Sequence, residues 1–444
     1  MAISTTTSTQ VAFANASSSV LAMLTPTLGI YNSSATPSYL PWDTYNYCNA
    51  PHVNAEHYIE PEDTEATLVY LNVVIRHHKR TPDNLFPSER YLNPPSGWDC
   101  SDITQYDYAT ISEPHNAEDD MQPNASAGSA QVYHNTIIPD WHPFAAEIWP
   151  GTCDAGQLTR EGLEDAVRHG RDFWSVYHHK LNFLTRVNQG EIHVRATTEV
   201  RTHQVAGAIL YGMDPSTRKE RWPIRTQPQN IDSLVPNYDC PKADAIRAAY
   251  QSIPAWTDHL VQHQDLQDRL DATLGTSGLT AWNSCHPLPC NATGACISQK
   301  DADEVFRLGD WEYNYIWNAA QNASTYTSLT FGVFFTELSR NLHRVKRGKH
   351  THKLKFYVGH DGSMIRLAAG LRIGLGGGEG TLRWPAMGSE IIIEVWRDRK
   401  QAEYVRVIHE GMPVADLEWV PFQAFMDLLE AQIPENIYKA CMEN

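Results

Sequence analysis

The chain has 444 residues, 42% of them hydrophobic and 20% charged, a globular composition that excludes general disorder. Its 52 acidic residues outnumber 35 basic ones, a formal charge of −17 with histidine neutral. A nucleic-acid partner is thereby excluded, and any anionic ligand has to be small and met by a local cluster of bases. No run of 18 uncharged apolar residues occurs, so no membrane-spanning helix is expected.

Residues 1–60 read as a polar, Ser/Thr-rich extension, and residues 1–42 carry no charged side chain, hence no basic region of a signal peptide. Leu68-Val69-Tyr70-Leu71-Asn72-Val73-Val74-Ile75 is a nearly continuous apolar run, the pattern of a central strand buried on both faces. Residues 83–155 then hold Pro, Asp, Asn and Trp without a period, as a lid or pocket wall does. Thr159 is an N-cap candidate for a long helix carrying Leu163, Val167, Phe173, Trp174, Tyr177, Leu181 and Leu184. Glu191–Val194 predicts a short strand and Val200–Tyr211 a helix.

Residues 212–324 hold four of the cysteines and two helical stretches, Asp244–Ser252 and Trp256–Leu274. Phe331, Phe334, Phe335, Leu338, Leu342 and Val345 form an amphipathic stripe ending in Arg344, Lys346, Arg347 and Gly348, which suit a helix C-terminus. Two final strands, Leu354–Val358 and Glu390–Trp396, flank a helix, and Phe422–Leu429 makes the last one. Strands alternating with helices predict an α/β fold with a central, mainly parallel sheet flanked by helices. The core is assigned to 61–211 and 325–444, with 212–324 as an inserted α-rich cap and 1–60 as the N-terminal extension.

Eight cysteines (48, 100, 153, 240, 285, 290, 296, 441) accompany Asn-x-Ser/Thr sequons at Asn15, Asn32, Asn124, Asn291 and Asn322. An even cysteine count together with five sequons favours an oxidising, secretory route and a secreted protein. Disulfides are preferred to a metal knuckle at Cys285, Cys290 and Cys296, because a glycan on Asn291 would crowd the metal. Eight cysteines allow 105 pairings, so connectivity stays open.

The sharpest chemical signal follows the first strand: Arg76-His77-His78-Lys79-Arg80-Thr81-Pro82, five potentially cationic groups in an acidic chain. The carboxyl end of a central strand is where open α/β sheets bind ligands. Guanidinium forks match phosphate oxygens, and a neutral imidazole can attack phosphorus. Val358-Gly359-His360-Asp361-Gly362-Ser363 and Val194-Arg195-Ala196-Thr197 stand at two further strand ends. Weaker patterns are set aside. His259 and His263 lack a third metal ligand and read as surface histidines; Gly374–Gly380 reads as a flexible loop; no G-x-S-x-G occurs.

These residues resemble the histidine acid phosphatases, the acid-phosphatase and phytase branch of the histidine phosphatase superfamily. That family's signature is Arg-His-Gly-x-Arg-x-Pro near the N-terminus and His-Asp near the C-terminus. Here they stand as Arg76 to Pro82 and His360-Asp361, supported by Gly156–Gly162, Val194–Thr197 with Arg201, and Glu390–Trp396. The resemblance implies that His77 is the nucleophile, that Arg76, Arg80, Arg195 and His360 clamp the phosphate oxygens, and that Asp361 protonates the leaving oxygen. It implies no metal and no cofactor. His78 replaces the family glycine, and with Lys79 is a candidate to line the pocket; Arg201 is expected to brace the loop carrying Arg195.

The expected function is a secreted, metal-independent acid phosphomonoesterase acting on a small phosphomonoester through a phosphohistidine. A phytase, or a non-catalytic phosphate binder disabled by His78, is the alternative. Substrate and arginine effects on Asp361 are expected to cancel in part, placing the optimum at roughly pH 4–6. Physiological substrate and oligomeric state are not legible.

Overall fold

The structure is a computed structural model that describes residues 29–30, 35–83, 98–107, 109, 129–145, 151–274, 285, 288, 290–291, 293–374 and 382–443. Asn15, Asn32, Asn124, the glycine run after Gly374 and much of the 83–155 loop lie outside the described residues.

The apolar run becomes strand β1 (Thr67–Arg76), buried over its last seven residues. Its side chains alternate between two cores: Tyr70 and Val74 enter one, and Leu71, Val73 and Ile75 enter the other. Thr159 caps helix α1 (Arg160–Trp174), its hydroxyl accepting from the Gly162 amide. Then come β2 (Ile192–Ala196) and α2 (Val200–Met213). Residues 212–324 carry α3 (Pro241–Tyr250), α4 (Pro254–Gln262), α5 (Gln264–Leu274) and α6 (Gln299–Asn314). The stretch expected as one helix from Trp256 to Leu274 is thus two. His263 leaves helical geometry, with its Nδ1 turned onto the His259 carbonyl.

Helix α7 (Ala323–Lys346) leads to β3 (Leu354–Gly359), α8 (Asp361–Gly370), β4 (Glu390–Arg397) and β5 (Glu403–His409), with α9 (Phe422–Glu430) and α10 (Ile437–Met442) last. Strand β5 was not anticipated, because two buried charges, Glu403 and Arg406, interrupt its apolar pattern.

The seven-stranded sheet runs β5-β4-β1-β3-β2, with Met412–Pro413 and Val420–Pro421 both pairing β5. The fold is α/β: β1, β3 and β2 are parallel, and beyond β1 the sheet continues antiparallel through β4 and β5. Helices α1 and α2 cover one face, and α7, α8 and α9 the other. Parallel pairing aligns Arg76 with Gly359, so the residues that follow each strand emerge side by side at one edge.

Disulfides join Cys48–Cys285, Cys100–Cys153, Cys240–Cys441 and Cys290–Cys296, leaving no free cysteine. Residues 47–58 of the N-terminal segment pack into the core. Tyr47, Val53 and Tyr58 are buried, the Val53 amide donates to Glu390, and the Tyr58 hydroxyl donates to Glu394.

Candidate active site

His77 leaves β1 with its amide donating to the Gly359 carbonyl at 3.0 Å, which sets its ring against His360 at a centroid separation of 5.2 Å. Its Nδ1 lies 2.8 Å from the His78 carbonyl. A carbonyl only accepts, so Nδ1 carries the proton and the free lone pair is on Nε2. Burial, reinforced by the charges of Arg201, Arg80, Arg76 and His360, holds His77 well below the ordinary imidazole value. The ring therefore stays neutral in mild acid. His360 is likewise lowered, to about 3, by burial and then by Arg201. Its Nε2 lies 3.0 Å from the Thr197 hydroxyl and 3.6 Å from Glu199.

Arg76 is fully buried beneath this pair. It donates to the Pro385 carbonyl and the Tyr47 hydroxyl and lies 3.3 Å from Asp361 Oδ2. Asp361 opens α8; its Oδ2 accepts from Trp384 Nε1 at 2.9 Å, and its Oδ1 from the Gly362 amide. Burial alone would raise its pKa. Arg76, the Trp384 N–H, Arg80 and His360 outweigh burial and hold the carboxyl below the usual range. Before substrate arrives, Asp361 is therefore ionised throughout mild acid.

Arg80 pairs with Asp83 at 2.7 Å and donates to the Thr81 carbonyl. Arg201, in the first turn of α2, pairs with Glu199 and, at 3.2 Å, with Asp83. It reaches that position past Gly156, whose φ of +67° and missing Cβ leave room for the guanidinium. The Nε atoms of Arg76, Arg80 and Arg201 are buried without a partner among the described residues.

Four sequence expectations are corrected. Arg195 does not face His77: its side chain leaves β2 toward α7, where Asp232, Glu337, Gln227 and Ser233 all engage it. Arg201, expected as a brace, is the foremost of three arginines whose charges act on His77 and His360. His78 and Lys79 do not line the pocket. Lys79 pairs with Asp165 on α1. The His78 ring is buried against His169, 3.3 Å away, which in turn contacts Glu390 at 3.0 Å. His78 does not have positive φ, so the turn accepts it. The room is made by Gly388, where an added Cβ would lie 2.5 Å from the His78 ring. His259 and His263 are buried, not on the surface: His259 stacks on Trp311 and contacts Glu312. Tyr47 and Trp384 carried no sequence signal and reach the site through tertiary contact; Asp83 and Glu199 are local neighbours of Arg80 and Arg201 that were not singled out.

The fold and this geometry define an α/β protein whose sheet edge holds a neutral imidazole among three guanidinium groups, with a carboxyl at a helix N-terminus beside them. Such a site can bind a small oxyanion and present a nitrogen lone pair to its central atom. No group of three or more metal-binding side chains occurs among the described residues. The family model of the histidine phosphatase superfamily (branch 2) matches residues 67–281 and 299–410, and the chain belongs to that superfamily. Similar proteins include counting factor 60 of Dictyostelium discoideum, 24% identical over 426 residues, covering 89% of this chain and 92% of that one. Human lysosomal acid phosphatase is 26% identical over 250 residues, covering 52% of this chain and 58% of that one. Among solved structures, the phytase of Citrobacter braakii matches with a TM-score of 0.53 and 13% identity, over 85% of this chain and all of that one. The phytase of D. castellii matches at 0.53 and 14%, over 92% and 91%.

Proposed function

We propose that the chain hydrolyses small phosphomonoesters through a phosphohistidine on His77. The observation that carries this reading is the tautomer lock. His78 C=O holds the Nδ1 proton, so the free lone pair is on Nε2, in the cluster His77 forms with Arg76, Arg80, Arg201 and His360. Nε2 attacks phosphorus and the ester P–O bond breaks. The guanidinium groups meet the charge on the three non-bridging oxygens, which is where positioning and electrostatics supply most of the rate. Asp361 delivers a proton to the departing alcohol oxygen and then accepts one from the water that cleaves the P–N bond, releasing phosphate. The clamp is Arg201 rather than Arg195, whose two terminal guanidinium nitrogens are held by Glu337, Asp232, Gln227 and Ser233. Three arginines supply the charge that a metal would otherwise bring. Four disulfides favour an oxidising compartment, extracellular or lysosomal.

A panel of phosphomonoesters at acidic pH with EDTA present tests the reading, together with an acid-quenched trap for phosphoenzyme. Wild type is expected to turn over and to retain label; His77→Ala is expected to lose both. Turnover that survives in His77→Ala, or that vanishes with EDTA, would overturn it.

A further inference from the structure

The charges at the pocket are already matched before any ligand enters. Three guanidinium groups, of Arg76, Arg80 and Arg201, face three carboxylates, of Asp361, Asp83 and Glu199. The two histidines between them are neutral in mild acid. The two sets differ in depth. The arginine side chains are 1%, 7% and 13% exposed, whereas Asp83 and Glu199 are each 42% exposed. The cations form the floor and these two carboxylates the mouth. The neighbouring cations are engaged elsewhere, Lys79 by Asp165 and Arg195 by Asp232 and Glu337.

We propose that Asp83 and Glu199 are specificity-determining residues that form an acidic collar around the phosphate site. The collar selects monoesters whose alcohol carries a cationic group near the ester, the aminoalkyl phosphates, and rejects polyphosphorylated alcohols. The proposal rests on the phosphomonoesterase reading for where phosphate sits, and it adds the substrate class. One phosphate reaches the buried guanidinium floor, exchanging carboxylate for phosphate as the partner of Arg80 and Arg201. Whatever is esterified to it has to lie at the mouth, among carboxylates that have lost their cations. A quaternary or primary amine two or three atoms from the ester oxygen meets them favourably. A second phosphate meets like charge there, and the neighbouring Lys79 and Arg195 are already paired with carboxylates. The likeness to solved phytases is one of fold, and the collar opposes their substrate.

The test compares phosphocholine with glycerol 3-phosphate, of similar size but with a neutral alcohol, and with inositol hexakisphosphate. Wild type should prefer phosphocholine to glycerol phosphate about tenfold in kcat/KM, with the ratio shrinking as salt is raised. In Asp83→Asn/Glu199→Gln the ratio should fall to near one. Turnover of inositol hexakisphosphate should rise at least about tenfold relative to glycerol phosphate, since two partly screened like charges are removed. A purely structural role for these carboxylates would depress all three substrates alike and leave the ratios unchanged, which would overturn the collar. Equilibrium binding of the same ligands to His77→Ala needs no turnover and separates the two readings. Preference for phosphocholine in that variant, with an inactive wild type, would retain the collar and remove the catalytic reading. Active wild type without preference in either assay would do the reverse.

Discussion

Replacing Arg201 and Arg195 separately by Met asks which arginine serves the chemistry. Arg201 is the foremost charge acting on His77, and its guanidinium lies within pairing distance of Asp83 and Glu199 at the pocket mouth. Loss of one preorganised donor to a developing oxyanion lowers kcat by roughly 10²–10³, about 2.7–4 kcal/mol. Arg201→Met is therefore expected to lose activity by that factor. A second readout goes with it. Less positive potential makes His77 easier to protonate, so its pKa rises, and the acid limb of kcat/KM moves to higher pH.

Arg195 is different. It is buried against Asp232, with side chains 4% and 3% exposed, and it also pairs with Glu337. Arg195→Met strands a buried carboxylate, a loss of about 3–5 kcal/mol of stability. Activity per folded molecule should stay near wild type, with no shift of the acid limb. Denaturant melts would give the folded fraction, and pH profiles of each variant would give the limb. Should folded Arg195→Met lose a hundredfold while Arg201→Met keeps its rate, the geometry has been misread.

Two pH effects follow from the same residues. Asp361 is held below the usual carboxylate range in the free enzyme, so its catalytic proton has to arrive with the substrate, on the phosphate or taken up as the dianion binds. kcat/KM should fall as pH rises through the second ionisation of the substrate phosphate, about 6, and the limb should track that value across monoesters of different phosphate acidity. A limb at one fixed pH for every substrate would place the proton donor elsewhere. The second effect is on stability. His77, His78, His169 and His360 are all lowered by burial, so below about 6.5 the unfolded chain binds protons that the folded chain does not. Stability is full above that pH and falls as acid is added; His360, with its value of about 3, alone removes about 2 kcal/mol by pH 5. Guanidinium midpoints at pH 7 and pH 5 check the sign. An unchanged midpoint would mean that these rings protonate in place.

The strand that carries His77 and the strand before His360 were legible because an unbroken apolar run is a local pattern, and a cluster of bases directly after it is local too. Adjacent residues in one motif cannot be pulled far apart, so Arg76, His77 and Arg80, like His360 and Asp361, arrived at the site together. The eight cysteines showed disulfides for a similar reason, though only the fold chose partners up to 237 residues apart. Side-chain direction is another matter. Arg195 and Arg201 are six residues apart in one segment and chemically identical. What separates them is strand alternation, which turns Arg195 toward α7, and the acids waiting there, Asp232 from a loop and Glu337 from α7. His78 and Lys79 were drawn to α1 by His169 and Asp165, some ninety residues on. Trp384 and Tyr47 reach the pocket from segments with no motif of their own. Burial strengthens each of these pairings, and burial is a property of the packed chain, so only the tertiary structure decided which charges face the phosphate site and which were already spent holding the fold together.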